Sequence, residues 1–326
     1  MALGLSNSLS LCSSAALAAL CIMLSGGAAS AKATYTTFDD GMVTGINSSN
    51  SVTGWQGDGD GFVRTADGTV TTFRVAGAKD TVARSINDGS EIAGYTFDSS
   101  DAYHGFFRMP DGTITAFDYP DASGTYPVSL NNKGEIAGFY HDSSDTSHGF
   151  VRSASGKLKT FDPPDASQTD ALSINDKGAI TGFYVGGNAL HGFVRAADGT
   201  ITTIDVPGAV AIETTAINAK GTVAGWYANG DGTMHGFVRT ADGTITTFED
   251  PVCDLIQPTG INGKGVVTGY CEVTDHKGHN AGFVLRSNGK VLNFQVPTGV
   301  LTTPTGINEA GVIAGNYRFG GFLRFP

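Results

Sequence analysis

The sequence has little positive charge and no long apolar segment. Lys and Arg number 20 against 31 Asp and Glu, which gives a formal net charge of -11. A chain this acidic repels phosphate backbones, so we expect no nucleic-acid partner. No run approaches the roughly 20 apolar residues of a membrane helix, so we expect no membrane span.

The common catalytic motifs are also missing. The sequence contains no Gly-x-Ser-x-Gly nucleophile motif, no zinc-binding His-Glu pair and no phosphate-cradling glycine loop with a lysine. It therefore assigns no catalytic residue. This absence favours a binding protein over an enzyme without excluding an enzyme.

The first 31 residues lack Asp, Glu, Lys and Arg altogether. An apolar run from Ala15 to Leu24 precedes Ala29-Ser30-Ala31, a small-x-small cleavage site, so residues 1–31 are predicted to be a signal peptide, although the start lacks a basic residue. The exported chain, residues 32–326, would be secreted or periplasmic. It would retain only Cys253 and Cys271, which an oxidising compartment would join in a disulfide.

Glycine is abundant, at 46 residues, and marks an internal repeat. Three phrases recur in the same order about every 40–46 residues, seven times each: an Ile-Asn pair, a Gly-Phe pair followed by Arg, and a Thr-x-Phe-Asp-like phrase. The Ile-Asn pairs begin at Ile46, Ile86, Leu130, Ile174, Ile217, Ile261 and Ile307. The seventh Thr-x-Phe phrase lies at the other end of the mature chain, at residues 36–39.

One copy of the repeat predicts four short strands. They are strand a at 170–175, strand b at 179–184, strand c at 191–195 and strand d at 200–205, separated by the turns Asp176-Lys177-Gly178 and Asp198-Gly199. Both faces of strand b are apolar, so each sheet must be covered on both sides. Sheets stacked around an axis satisfy this requirement, and four strands in 40–45 residues is the β-propeller period.

The two ends of the chain indicate a closed ring. The mature chain starts with a lone strand d at residues 35–39 and stops after a strand c, without the usual hairpin. We therefore predict an all-β, seven-bladed β-propeller, residues 32–326, whose last blade borrows strand d from the N-terminus and leaves no open edge. We expect a single domain and a monomer; an open β-solenoid is the alternative.

The phrases His191-Gly192-Phe193, Asp198-Gly199-Thr200-Ile201, Val206-Pro207-Gly208-Ala209 and Ile217-Asn218 resemble the bacterial HAF-family extracellular repeats. The resemblance spans roughly residues 35–326 and implies an exported repeat protein. It transfers no catalytic residue, because the family is defined by its sequence pattern.

Several side chains recur once in each copy and are interpreted as structural. A His before Gly-Phe (His104, His148, His191, His235) is predicted to make a repeated hydrogen bond, since one His per blade cannot share a metal. The strand-c Arg is predicted to pair with acids such as Asp118, Asp162 or Asp205. The aromatic residue after the strand-b Gly is predicted to be core between blades, with a sugar-stacking platform as the alternative; it recurs as Trp55, Tyr95, Phe139, Phe183, Trp226 and Tyr270.

Residues that differ between copies are the candidates for function. Loops on a rigid scaffold usually carry recognition, and the predicted d–a and b–c loops hold Tyr119, Tyr126, His141, Asp142, Asp145, Glu213 and His276. We predict a ligand site on this d–a/b–c rim. No cofactor is expected, although the acidic loop at residues 56–61 faintly resembles a calcium site.

Two functions remain open. The first is an exported binding module for a carbohydrate or protein partner outside the cell or at its surface. The second is an exported carbohydrate-active enzyme, a polysaccharide lyase or glycosidase, on the same scaffold. An enzyme would bring acids, His or Tyr together at the channel mouth with perturbed pKa values.

Overall fold

A computed structural model describes residues 33–250, 252–273, 280–297, 301–318 and 320–326. Every regular element in this part of the chain is a β-strand, which confirms the all-β prediction. The predicted signal peptide and His276 lie outside the described residues. No described segment forms a helix long and apolar enough to cross a bilayer.

The strands follow the sequence repeats. Strand β1 (Thr34–Phe38) comes first. Repeat 1 contains β2 (Met42–Ile46), β3 (Val52–Trp55), β4 (Gly61–Arg64) and β5 (Val70–Phe73). Repeat 2 contains β6 (Asp80–Ile86), β7 (Ile92–Phe97), β8 (Tyr103–Arg108) and β9 (Ile114–Phe117). Repeat 3 contains β10 (Gly124–Leu130), β11 (Ile136–His141), β12 (Ser147–Arg152) and β13 (Leu158–Phe161).

The later repeats have the same order. Repeat 4 contains β14 (Ala166–Ile174), β15 (Ile180–Gly186), β16 (Ala189–Arg195) and β17 (Ile201–Ile204). Repeat 5 contains β18 (Ala209–Ile217), β19 (Val223–Asn229), β20 (Met234–Arg239) and β21 (Ile245–Phe248). Repeat 6 contains β22 (Cys253–Ile261), β23 (Val267–Val273), β24 (Asn280–Leu285) and β25 (Val291–Phe294), and repeat 7 contains β26 (Thr303–Ile307), β27 (Ile313–Tyr317) and β28 (Gly320–Phe325).

Within each repeat, neighbouring strands pair antiparallel in the order a-b-c-d. In repeat 7, β1 occupies the strand-d position beside β28, with Thr34 opposite Phe325 and Phe38 opposite Gly321. Repeats 2 and 3 share one eight-stranded sheet, as do repeats 4 and 5. Single parallel bridges join them, Gly124 to Tyr103 and Leu190 to Ala211. The prediction was one four-stranded sheet for each repeat. Three of the five sheets have four strands, and the other two each combine two repeats.

The Gly-Phe phrase builds the core. The Phe is fully buried in every repeat, as Phe62, Phe106, Phe150, Phe193, Phe237, Phe283 and Phe322. The preceding Gly leaves room for the strand-d aromatic ring: a Cβ at Gly236 would lie 2.3 Å from the ring of Phe248. Since real side chains do not approach this closely, a larger residue would displace that ring.

The strand-b Gly allows a second close approach. A Cβ at Gly182 would lie 2.0 Å from the backbone oxygen of Asp170. The strand-a register shifts just beyond this point, between Ala171 and Ser173, and such bulges reorient side chains. The register of strand a shifts at the equivalent position in the other repeats. In every repeat, therefore, the same strand-a position lies opposite the residue that follows the strand-b Gly.

The Ile-Asn phrase joins the repeats to one another. Asn175 Oδ1 accepts hydrogen bonds from the backbone N–H groups of Lys177 and Ala179, both 3.0 Å long, as expected for a turn cap. Its Nδ2 donates to the backbone carbonyl of Asn218 in the next repeat, at 2.9 Å. Equivalent bonds run from Asn47 to Asn87, then to Asn131, Asn175, Asn218, Asn262, Asn308 and back to Asn47.

Candidate functional site

The strand-a segments of all seven repeats surround a central cavity of about 770 Å³. A second, smaller cavity lies on the side of the a–b turns, and seven aliphatic side chains line both cavities: Ile46, Ile86, Leu130, Ile174, Ile217, Ile261 and Ile307. These side chains lie between the two cavities. The larger one extends away from the a–b turns, towards the d–a and b–c loops.

The d–a and b–c loops lie together at that end. The backbone N–H of Lys79, in a d–a loop, donates to the carbonyl of Phe97 at the end of strand b, at 2.9 Å. Ser123 makes the same bond to His141, at 2.8 Å. We keep the name d–a/b–c rim for this end of the molecule.

One strand-a residue in each repeat stands at this end, opposite the residue that follows the strand-b Gly. We call these seven positions the mouth ring: Met42, Val82, Tyr126, Asp170, Glu213, Gln257 and Thr303. The backbone positions are equivalent, yet all seven residue types differ. Met42, Glu213, Gln257 and Thr303 line the cavity directly.

The aromatic residues opposite the mouth ring are not all core. Trp55, Trp226 and Tyr270 line the central cavity, and Trp55 keeps 38% of its surface exposed. The interpretation of these three as core between repeats is therefore wrong. Tyr270 also donates a hydrogen bond through its hydroxyl to Gln257 Oε1, which fixes both side chains at the cavity wall.

Glu213 is half-buried on the cavity wall. Burial raises the pKa of its carboxyl to about 7, and the nearby negative charge of Asp170 adds to the effect. Burial also raises the pKa of Asp170, whereas a hydrogen bond with Ser147 and the proximity of His141 act in the opposite direction. Repeats 4 and 5 thus place two carboxyl groups with raised pKa values at neighbouring mouth-ring positions.

Three of the predicted rim residues form a second group beside these acids. The rings of Tyr126 and His141 have centroids 5.0 Å apart, and His141 Nδ1 lies 3.0 Å from Asp145 Oδ1. Tyr126 also stacks on Phe139, with centroids 4.9 Å apart. Burial raises the pKa of Tyr126 to about 12, so its hydroxyl stays protonated and able to donate a hydrogen bond.

The other predicted rim residues make structural contacts. Tyr119 stacks on Tyr140, with centroids 3.8 Å apart. The Asp142 side chain accepts hydrogen bonds from the backbone N–H groups of Ser144 and Thr146, at 2.8 and 3.0 Å, which shape the b–c loop. Neither residue lines the central cavity.

Sequence reasoning named Glu213 but missed Asp170 and Arg84. Arg84 lines the cavity two residues beyond Val82 on β6. An alignment of the seven strand-a segments would have shown Arg84 as the one charged residue at its position and Asp170 as one of two acids at its own.

The recurring His and Arg residues have separate roles. His148 Nδ1 lies 2.9 Å from Asp162, and His104 and His191 meet Asp118 and Asp205 in the same way. The repeated hydrogen bond of the His is therefore confirmed. Among the described residues, no strand-c Arg forms an ion pair with Asp118, Asp162 or Asp205, so these named partners are wrong. Arg64 does pair with a carboxylate, that of Asp40, at 2.9 Å.

The strand-c Arg instead stacks on the strand-d Phe of the preceding repeat. The guanidinium carbon of Arg195 lies 4.8 Å from the centroid of Phe161. Arg64, Arg108, Arg152 and Arg324 stack on Phe38, Phe73, Phe117 and Phe294. Repeat 6 departs from the pattern, since Leu285 occupies the Arg position opposite Val267.

Cys253 and Cys271 lie at disulfide distance, with sulfurs 2.17 Å and Cα atoms 5.6 Å apart. In the acidic loop at residues 56–61, Arg74 donates to the Asp60 carboxylate and to the Asp58 carbonyl. Among the described residues, no group of three or more His, Cys, Asp or Glu side chains could hold a metal ion.

Solved structures share this architecture. Virginiamycin B lyase from Staphylococcus aureus aligns with a TM-score of 0.62 at 14% identity, over 90% of this chain and 98% of that one. A catalytically inactive His-to-Ala variant of that lyase with quinupristin aligns at 0.59 and 15% identity, over 90% and 98% of the two chains. TolB from Acinetobacter baumannii aligns at 0.53 and 13% identity, over 72% of this chain and 60% of that one.

At these identities the likeness concerns the fold alone. No protein-family model matches the chain, and no curated protein sequence matches it significantly. The chain is therefore a β-propeller-type protein, and its function must be argued from its own side chains.

Proposed function

We propose that this protein is an exported, seven-bladed β-propeller that acts as a monomeric binding module for a carbohydrate. The ligand would occupy the central cavity from the d–a/b–c rim. The proposal includes membership of the HAF-type extracellular repeat proteins, which rests on the repeat phrases.

Two features support a closed ring of seven blades. The hydrogen bonds from asparagine to asparagine pass through seven repeats and return to the first, with the last bond from Asn308 Nδ2 to the Asn47 carbonyl at 3.0 Å. Strand β1 also completes the sheet of repeat 7. A ring closed at both the strand edge and the turns leaves no unpaired edge at this junction.

Export is supported by the signal-like first 31 residues and by the cysteine pair. Disulfides form and persist in oxidising compartments. Cys253 and Cys271 are at bonding distance on neighbouring strands, which fits a secreted or periplasmic protein.

The observation that carries carbohydrate binding is the composition of the cavity wall. Sugars present apolar C–H faces, which pack on aromatic rings, and hydroxyl groups, which need hydrogen-bond partners. The wall offers the rings of Trp55, Trp226 and Tyr270 beside polar side chains such as Gln257 and Glu213. A volume of about 770 Å³ falls within the range of small-ligand sites.

The test is binding of oligosaccharides to the folded protein, followed by calorimetry on any that bind. Trp226→Ala should weaken binding at least tenfold, because a stacking surface is lost. Asp198→Ala, in a hairpin turn on the opposite rim, is the control and should leave binding unchanged. Loss of binding with Asp198→Ala alone, in a protein shown to be folded, would refute the assigned site.

A carbohydrate-active enzyme is the second candidate, favoured by the raised pKa of Glu213. A carboxyl group that titrates near pH 7 is suited to general acid or base catalysis. If the protein cleaves an oligosaccharide that it binds, new chain ends will appear, and Glu213→Gln should abolish the cleavage while retaining binding. Unchanged oligosaccharide after prolonged incubation would leave binding as the function.

A further inference from the structure

Among the described residues that line the central cavity, only two have charged side chains. They are Arg84 in repeat 2 and Glu213 in repeat 5. The other lining residues are apolar, aromatic or uncharged polar. A charge needed for packing would recur in most repeats, as the strand-c Arg does in six of the seven, so a charge found in a single repeat needs another explanation.

Arg84 replaces a residue with a structural role. The corresponding strand-a positions carry Thr44, Val128, Leu172, Thr215, Thr259 and Thr305. Thr44 Oγ1 donates to the Ala83 carbonyl at 2.7 Å, and Thr259 Oγ1 to the Pro304 carbonyl at 3.0 Å, each bond reaching the next repeat. With Arg84 in place of Thr, repeat 2 has no such hydrogen bond to the next repeat among the described residues.

The guanidinium of Arg84 has no partner within the described residues. No hydrogen bond, ion pair or ring contact of its side chain is found there, and the residue is exposed to the cavity. The strand-c arginines differ, because each of those in five repeats covers an aromatic ring. Arg84 is therefore free to meet a ligand.

Arg84 and Glu213 stand on facing walls. Their repeats, marked by Asn87 and Asn218, are three links apart in the ring of seven asparagine hydrogen bonds, which is the largest separation such a ring allows. They therefore do not form an ion pair with each other. A ligand spanning the cavity would meet a cation on one side and, on the other, a carboxyl with the Tyr270–Gln257 pair next to it.

We propose that the cavity selects a saccharide carrying a carboxylate, such as a uronic-acid unit, and that Arg84 is the residue that receives this carboxylate. The guanidinium fork matches a carboxylate in a two-point, charge-assisted hydrogen bond. The protein's acidic surface does not prevent this, because charges beyond about 8 Å are largely screened at physiological salt. The inference rests on the proposed carbohydrate site and specifies its ligand.

The test uses matched pairs of oligosaccharides and calorimetry on the folded protein. Trisaccharides of glucuronic, galacturonic and mannuronic acid are each compared with their carboxyl-reduced counterparts, which differ only in the charged group. At least one acidic trisaccharide should bind about tenfold or more tightly than its neutral counterpart. Arg84→Gln should abolish that ratio, because the acidic sugar loses far more affinity than the neutral one.

Arg239→Gln is the matched control, because Arg239 lies on a strand c away from the cavity. It should leave the ratio unchanged. Equal binding of acidic and neutral sugars by the unaltered protein would overturn the role of Arg84 while leaving carbohydrate binding in place. Equal loss of both sugars in a folded Arg84→Gln variant would also overturn it, and no binding of any sugar would overturn the proposed function itself.

Discussion

The side-chain amide of Asn308 donates a hydrogen bond to the backbone carbonyl of Asn47, 3.0 Å away and 261 residues earlier in the sequence. All other links of the asparagine ring join repeats that follow one another in the chain. This bond is the link that makes the series circular. Its energy therefore reports directly on whether the ring is closed in solution.

Replacement of this asparagine should destabilise the protein as much as replacement of an interior one. Asn308→Ala leaves buried backbone groups without partners and should cost about 2 kcal/mol of unfolding free energy. Asn175→Ala, in the middle of the series and equally buried, is the matched comparison. Denaturant unfolding that shows a cost for Asn175→Ala but none for Asn308→Ala would mean that the ring is open.

The Arg–Phe stacks predict a second difference between equivalent sites. Arg195→Lys removes a planar guanidinium from the face of Phe161 and should lower stability by about 1 kcal/mol. Arg239 occupies the same position in repeat 5, but the preceding strand d carries Ile204 in place of Phe. Arg239→Lys should therefore cost clearly less, and equal melting temperatures for the two variants would argue against the stacking energy.

The Cys253–Cys271 pair should contribute measurable stability. In the chain-entropy model, a cross-link over a separation of 18 residues is worth about 3 kcal/mol. Replacing both cysteines by alanine should lower the unfolding free energy by this order, and a reducing agent should have the same effect on the unaltered protein. Titration of two free thiols in the unfolded, unreduced protein would show that the bond is absent.

Glu213 should make stability depend on pH. Its pKa rises from an ordinary value of 4.5 to about 7 in the folded protein, so between these values the folded state retains a proton that the unfolded chain has released. Stability should therefore fall as pH increases from 4.5 to 7, by about 3 kcal/mol for this group.

Glu213→Gln removes this dependence, and Glu272→Gln, at an exposed glutamate, is the control. Unfolding curves at pH 5 and pH 8 give the comparison. If the difference between the two pH values is the same in Glu213→Gln as in the unaltered protein, the carboxyl is not buried as described.

The sequence was sufficient for the strands and turns because these depend on local chemistry. Asn175 and Gly178 act within five residues of each other, and Gly178, in the predicted turn, has a positive φ of 78°. The strand boundaries of repeat 4 differ from the predicted ones by up to four residues; strand a, for example, begins at Ala166 instead of Asp170. Strand ends depend on pairing with neighbours, which one segment does not reveal.

Contacts between repeats could not be predicted from the sequence pattern. Asp162 was a plausible partner for a strand-c Arg, yet it meets His148, and Arg195 crosses to Phe161 of the preceding repeat. The exposure of Trp55 depends on how the strands surround the cavity. The sequence pattern did not single out Arg84, because its place on the cavity wall depends on how strand a of each repeat is arranged around the cavity.

The strand Thr34–Phe38 has one further consequence, for folding. It is synthesised long before Gly320–Phe325, its pairing partner, so during most of synthesis its hydrogen-bonding edge has no counterpart. Contacts between such distant segments are slow to form, because a long stretch of chain must be brought together first. The last sheet therefore forms only when the whole chain is available. Until then, the strand Thr34–Phe38 has an unpaired edge that can pair with another chain and promote aggregation.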